Sequence, residues 1–143
     1  MFNNLLKLFI FFGFFGLFVE IFFTAIKKIV NNDRRKWELK GETYLWMFPI
    51  YGLIGFYYPI YNYFISINMF LVFRLLIGTF FIYLIEYISG YLLCKIIGNC
   101  PWDYSLDSYY NIHGLVRLDY FFYWVAFMFF IEQIFNYITI YLY

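Results

Sequence analysis

Two glutamates stand where acids are expensive to keep. Glu20 lies in the run Phe18-Val19-Glu20-Ile21-Phe22-Phe23-Thr24, and Glu86 in Leu84-Ile85-Glu86-Tyr87-Ile88-Ser89-Gly90. An ionised carboxylate in hydrocarbon costs several kcal/mol, and such groups commonly serve ion or proton binding. Their spacing adds weight. Gly13, Gly16, Glu20 and Thr24 fall on one face of a helix, and Thr79, Tyr83, Glu86 and Gly90 make a similar stripe. Small residues allow close helix approach, while polar ones seek partners inside a bundle. Both acids are therefore expected to face one shared polar space. The competing expectation is that each caps backbone groups or pairs with Arg74 or Arg117 near the interface.

A repeat surrounds the two acids. Some thirty residues after Glu20 comes Phe48-Pro49-Ile50-Tyr51-Gly52-Leu53, and after Glu86 comes Tyr110-Asn111-Ile112-His113-Gly114-Leu115. The glutamates are 66 residues apart and the glycines 62, and a tryptophan, Trp46 or Trp102, precedes each phrase. The candidate binding residues are thus Glu20, Thr24, Trp46, Tyr51, Glu86, Trp102, Asp103, Asn111 and His113. None is assigned as catalytic. Asp103 or Ser105 suits the cap of a short interfacial helix, and Trp102 the headgroup level. The Asn111 amide is expected to bond Glu86 or to cap the turn before Gly114. No metal site is expected, because His113 is the only histidine and the cysteines lack the spacing of a zinc set.

The elements that must position these residues are membrane helices. Of 143 residues, 65% are hydrophobic, 30% aromatic and 13% charged, with a mean hydropathy of +0.71. A soluble domain carries roughly 25% charged residues, and this composition in water would expose much of its Phe and Tyr. The chain reads as an all-α integral membrane protein, one transmembrane domain over 1–143. Four spans are expected: Leu5 to Ile26, Tyr44 to Ile67, Phe70 to Ile97 and Tyr120 to Tyr143, each near the ~20 residues that cross hydrocarbon. The second is interrupted by Pro49, Gly52, Gly55 and Pro59, which predicts a kink or a partly re-entrant course. The first resembles a signal peptide, but it is too long and has no small-residue cleavage site, so a retained span is expected.

Six of the ten basic residues, Lys27, Lys28, Arg34, Arg35, Lys36 and Lys40, fall in the first polar loop. The positive-inside rule places loop 27–42 in the cytoplasm of a multi-pass cell-membrane protein, with the third loop beside it. Asp33, Glu38 and Glu42 dilute the basic run, so anionic lipid heads and topology account for it and nucleic acid is not expected as a partner. Cys94 and Cys100 then face a reducing compartment, where a structural disulfide is not expected. Pseudo-repeats 5–67 and 70–143 of two spans each imply a parallel two-fold along the membrane normal.

The run Gly16-x-x-x-Glu20-x-x-Phe23-Thr24-Ala25, then Gly41-x-Thr43-x-Leu45-Trp46-Met47-Phe48-Pro49-Ile50-Tyr51-Gly52-Leu53, resembles a family of small bacterial membrane proteins labelled ABC-transporter type IV, or CmpB-like. That family is similar to the transmembrane protein 229 group. Glu86-Tyr87-Ile88-Ser89-Gly90, Trp102-Asp103-Tyr104-Ser105 and Asn111-x-x-Gly114 agree with it. The resemblance implies a multi-span protein of the bacterial inner membrane. The chain has no Gly-x-x-x-x-Gly-Lys-Ser/Thr loop, so transport would need a partner ATPase, a homo-oligomer or a proton gradient. Three readings follow: a transporter or permease component whose glutamates bind a proton or cation, a membrane enzyme acting on lipid, and a lipid- or partner-binding scaffold. The first is preferred, chiefly for the repeat and the acid pair, and no cofactor is assigned.

Overall fold

The structure, a computed structural model, describes residues 2–31 and 36–142. Arg34 and Arg35 of the basic loop lie outside the described residues, as does the side chain of Lys36. Five α-helices follow in order: α1 (Phe2–Val30), α2 (Met47–Gly52), α3 (Tyr58–Ser66), α4 (Leu71–Ile97) and α5 (Phe121–Leu142). Short 3-10 turns occupy Lys36–Glu38, Leu53–Tyr57 and Leu118–Tyr120, and a two-stranded hairpin joins β1 (Asn111–Ile112) to β2 (Val116–Arg117). Among the described residues three stretches are long and apolar enough to cross a membrane: Asn4–Val30, Leu71–Ile97 and Leu118–Ile140. None contains a proline, whereas Pro49, Pro59 and Pro101 all lie in the segments between them. Proline lacks the N–H that a helix interior needs, so its distribution separates long helices from connections. The chain is a nearly all-α membrane protein.

The expected second span, Tyr44 to Ile67, is not one long helix. It is α2, a 3-10 turn and α3 in succession, with Pro59 in the first turn of α3. Pro59 tolerates only that early position and restrains Tyr58 before it. The glycines have a different cause, close approach. A Cβ on Gly52 would stand 2.7 Å from the Phe9 ring, one on Gly55 2.8 Å from the Leu8 carbonyl carbon, and one on Gly13 2.7 Å from the Phe48 ring. Residues 48–55 therefore run antiparallel along α1, back from Gly13 to Leu8. The two matching sequence phrases also differ in local structure. Phe48–Gly52 is helical, whereas Asn111 and Ile112 pair with Arg117 and Val116 across a turn in which His113 and Gly114 have φ of 52° and 69°. Left-handed backbone at two successive residues makes a hairpin and ends any helix.

The chain forms two compact units, Met1–Phe56 and Tyr57–Tyr143. The first is α1 with its antiparallel cover. The second packs α4 on α5, where Gly78 admits the Met128 side chain, and its core includes Tyr57, Met128, Ile131 and Phe135. Tyr58 and Tyr61 add α3 to that core through the ring of Phe135.

Candidate functional site

In the first unit the stripe expected on α1 is the seat of the cover. Gly13 lies under Phe48, Gly16 under Tyr51, and the Ile21 carbonyl under Gly41. These contacts bring two hydroxyls to Glu20. Thr43 Oγ1 donates to Glu20 Oε2 at 2.6 Å, and the Tyr51 hydroxyl donates to the same carboxyl. One turn on, Thr24 Oγ1 accepts the Glu42 N–H at 2.9 Å and donates to the Glu20 carbonyl at 2.9 Å. Lys28 Nζ bonds Glu42 Oε1 at 2.9 Å and holds that carboxyl below the usual glutamate range. Thr24, Lys27, Lys28, Asn31 and Glu42 line a cleft of about 290 Å³ at this end of the helix. Trp46, in contrast, is about half exposed ahead of α2.

In the second unit α4 carries the corresponding stripe. Thr79 is buried, Tyr83 donates to the Arg117 carbonyl at 3.3 Å, and Gly90 lies under Trp102 and Leu115. Between them Glu86 accepts a hydrogen bond from the Tyr104 hydroxyl. Its other oxygen, Oε2, is buried and has no hydrogen-bond partner, and the same is true of Thr79 Oγ1. A buried polar atom without a hydrogen-bond partner is uncommon in folded proteins.

The loop residues expected at the site build its frame. Trp102 is buried and its Nε1 donates to the Leu115 carbonyl at 3.1 Å. Asp103 is exposed. Its Oδ1 accepts the Ser105 N–H at 2.9 Å, and hydrogen bonds from Ser105 keep its carboxyl below the ordinary value. Asn111 caps the turn, as one of its two expected roles required: Oδ1 accepts the Gly114 N–H at 2.8 Å and Nδ2 donates to the Ser108 carbonyl at 2.7 Å. His113 Nδ1 lies 2.9 Å from the Tyr87 hydroxyl. Among the described residues no group of three or more His, Cys, Asp and Glu could hold a metal ion.

Two features were not expected. Cys94 and Cys100 are joined by a disulfide, their Cα atoms 4.2 Å apart. The expectation of free thiols rested on compartment alone. The local reason for the bond is Gly98, whose φ of 82° reverses the chain at the end of α4 and returns Cys100 to Cys94. The second is a buried ion pair. Arg74 Nη2 and Nε reach Glu132 at 2.9 Å and 3.2 Å, and Arg74 Nη1 donates to the Met69 carbonyl at 2.7 Å. Glu132 is only 2% exposed. Arg117 is likewise committed, to Asp119 at 2.6 Å. Arg74 and Arg117 thus go to Glu132 and Asp119, and no described ion pair involves Glu20 or Glu86. The signal for Glu132 was its depth in the fourth apolar segment; its partner lies 58 residues away and no local pattern marks it.

The family model described as "Putative ABC-transporter type IV" matches residues 7–142. The match spans almost the whole sequence, and the chain belongs to this family. No solved structure matches it.

Proposed function

We propose that this member of the type IV ABC-transporter family is a membrane transport component in which Glu20 and Glu86 bind a proton or a small cation. The observation that carries the reading is the contrast among three carboxylates in apolar helices. Glu132 has an arginine on it, whereas Glu20 and Glu86 have hydroxyl donors and Glu86 keeps one buried oxygen unpartnered. A carboxylate without a counter-charge in hydrocarbon is costly, and a transported proton or cation supplies the missing charge. Hydroxyls of Thr43, Tyr51 and Tyr104 suit that role. They donate to the anion and turn their lone pairs to a cation.

The finer layout follows the same reading. Four crossings are proposed, the second carried by the broken run Met47–Ser66, with loops 27–42 and 98–119 on the cytoplasmic side of the cell membrane. The repeat is proposed at the level of the acid: a long helix bearing a glutamate, then a segment that returns along it with a hydroxyl. A homo-oligomer or a partner ATPase completes the transporter, and membrane lipids surround its apolar helices.

Purified protein in liposomes, given an imposed pH gradient and a trapped pH-sensitive dye, tests the proposal. Wild type is expected to pass protons, alone or in exchange for sodium or potassium. Glu20→Gln and Glu86→Gln keep the side-chain shape and are expected to abolish flux while leaving thermal stability near wild type. Flux unchanged in both variants would leave the carboxylates structural and make the scaffold reading the better one. A cysteine at position 34 tests the layout. Labelling from outside intact cells by an impermeant maleimide would reverse it.

A further inference from the structure

The segment after α4 meets that helix in a fixed rhythm. Cys100 is bonded to Cys94, Trp102 lies on Gly90, and Tyr104 hydrogen-bonds Glu86. The helix positions differ by four residues, roughly 6 Å of rise. The segment positions differ by two, and two residues of extended chain cover roughly 6.6 Å. The two repeats match, so after the bend at Pro101 the chain runs back along α4 with Trp102 and Tyr104 both turned onto it. The Tyr104 N–H to the Gly114 carbonyl, at 2.8 Å, and the Trp102 indole bond fasten the far side. The disulfide fastens the root. Cys100 is exposed and Cys94 half-buried, so a small reagent can reach the pair.

We propose that Cys94 and Cys100 form a reversible dithiol–disulfide pair that latches Tyr104 over Glu86, closing this carboxylate when oxidised and freeing it when reduced. The oxidant is a low-molecular-weight disulfide. One cysteine thiolate attacks it and expels one thiol, and the other thiolate attacks the mixed disulfide and expels the second. The protein loses two protons and two electrons, and the reagent is reduced to two thiols. The latch takes its purpose from the transport reading of Glu86 and its compartment from the proposed cytoplasmic side of loop 98–119. In a reducing compartment a disulfide is characteristically transient and redox-sensing.

Thiol state and access to Glu86 are both measurable without transport. In cells quenched with acid, a maleimide polymer is expected to add two mass increments to the untreated protein and none after treatment with a membrane-permeant dipyridyl disulfide. Dicyclohexylcarbodiimide labelling of Glu86, followed by mass spectrometry, is expected to slow several-fold on oxidation and recover with dithiothreitol. Cys94→Ser and Cys100→Ser should label at the reduced rate whatever the oxidant. Because the wild type is compared with itself, poor folding of a variant does not decide the result. A pair already oxidised in untreated cells, a pair that never oxidises, or labelling indifferent to thiol state each overturns the latch. If Glu20→Gln and Glu86→Gln both keep full proton flux while wild-type labelling still follows thiol state, the transport reading falls and the latch stands.

Discussion

The covers over Glu20 and Glu86 reach a similar end by different means. In the first unit residues 41–56 return along α1 and become helical against it, and the fit rests on glycines that leave no room for a Cβ. In the second, residues 100–117 return along α4 as an extended segment and a hairpin, and the fit rests on a disulfide, a buried tryptophan and turn bonds. The difference follows from where flexibility is removed. Helix-on-helix packing at glycine makes an all-or-none contact, since interiors are dense and a single methyl is felt. The second cover is held at its root by a covalent bond that a reductant can break. The first cover is thus suited to hold a carboxyl steadily, the second to be opened.

The largest effect should come from the one acid that neither cover touches. Breaking a buried ion pair by removing one partner costs about 3–5 kcal/mol, because the other charge is left uncompensated. Glu132→Gln and Arg74→Met are each expected to lose that order of stability in detergent unfolding, while the double variant recovers most of it. Glu20→Gln and Glu86→Gln should not behave this way. Losses as large at Glu86 would erase the distinction between structural and functional carboxylates.

Next come the glycines. A methyl at Gly16 would run into the Tyr51 ring, and overpacking of this kind costs about 1–3 kcal/mol. At Gly90 it would stand 3.1 Å from Trp102 and 3.2 Å from the Leu115 side chain, so these neighbours need shift by only a few tenths of an ångström. Alanine also favours a helix over glycine by about 1 kcal/mol, so Gly90→Ala is expected near neutral and Gly16→Ala clearly destabilising in thermal melts. Equal costs at the two sites would contradict a tight first cover and a looser second one.

The hydroxyls give a smaller contrast. Tyr104→Phe removes the donor that Tyr104 gives Glu86 and is expected to cost about 1–2 kcal/mol. Thr43→Val removes one of two donors at Glu20, since Tyr51 remains, and is expected to cost at most about 1 kcal/mol. Denaturant midpoints of the two variants order the sites.

What the sequence disclosed follows from the range of each interaction. Membrane character is a sum over the whole chain, and the Gly13, Gly16, Glu20, Thr24 stripe is helical spacing within one element, so both were legible. Asn111 as a turn cap was legible too, because its partner Gly114 is three residues away. The Arg74–Glu132 pair joins different helices and leaves no local trace. The Cys94–Cys100 bond depends on the left-handed reversal at Gly98, a backbone feature that compartment does not report. The matching phrases misled about local structure because Gly52 and Gly114 serve opposite ends, one a close helical approach and the other a left-handed turn.

The smallest expected effect concerns the rim of the first cover and has a definite sign in pH. Hydrogen bonding to Lys28, helped by its charge and that of Lys40, holds the Glu42 carboxyl below its ordinary value in the folded protein. In the unfolded chain Glu42 returns to roughly 4.3. A carboxyl lowered on folding contributes stability that is fully present above its unfolded value and is lost as pH falls through its folded value. The melting temperature should therefore decline on acidification below about pH 4, and part of that decline should vanish in Glu42→Gln. The side chain is largely exposed, so salt should shrink the difference. Meanwhile the main-chain bond from Glu42 N–H to Thr24 Oγ1 does not depend on the carboxyl. The 41–43 segment should stay docked in Glu42→Gln, with Thr43 still on Glu20. Flux lost in that variant at neutral pH would mean that the Lys28–Glu42 pair, and not the Thr24 anchor, holds the first cover in place.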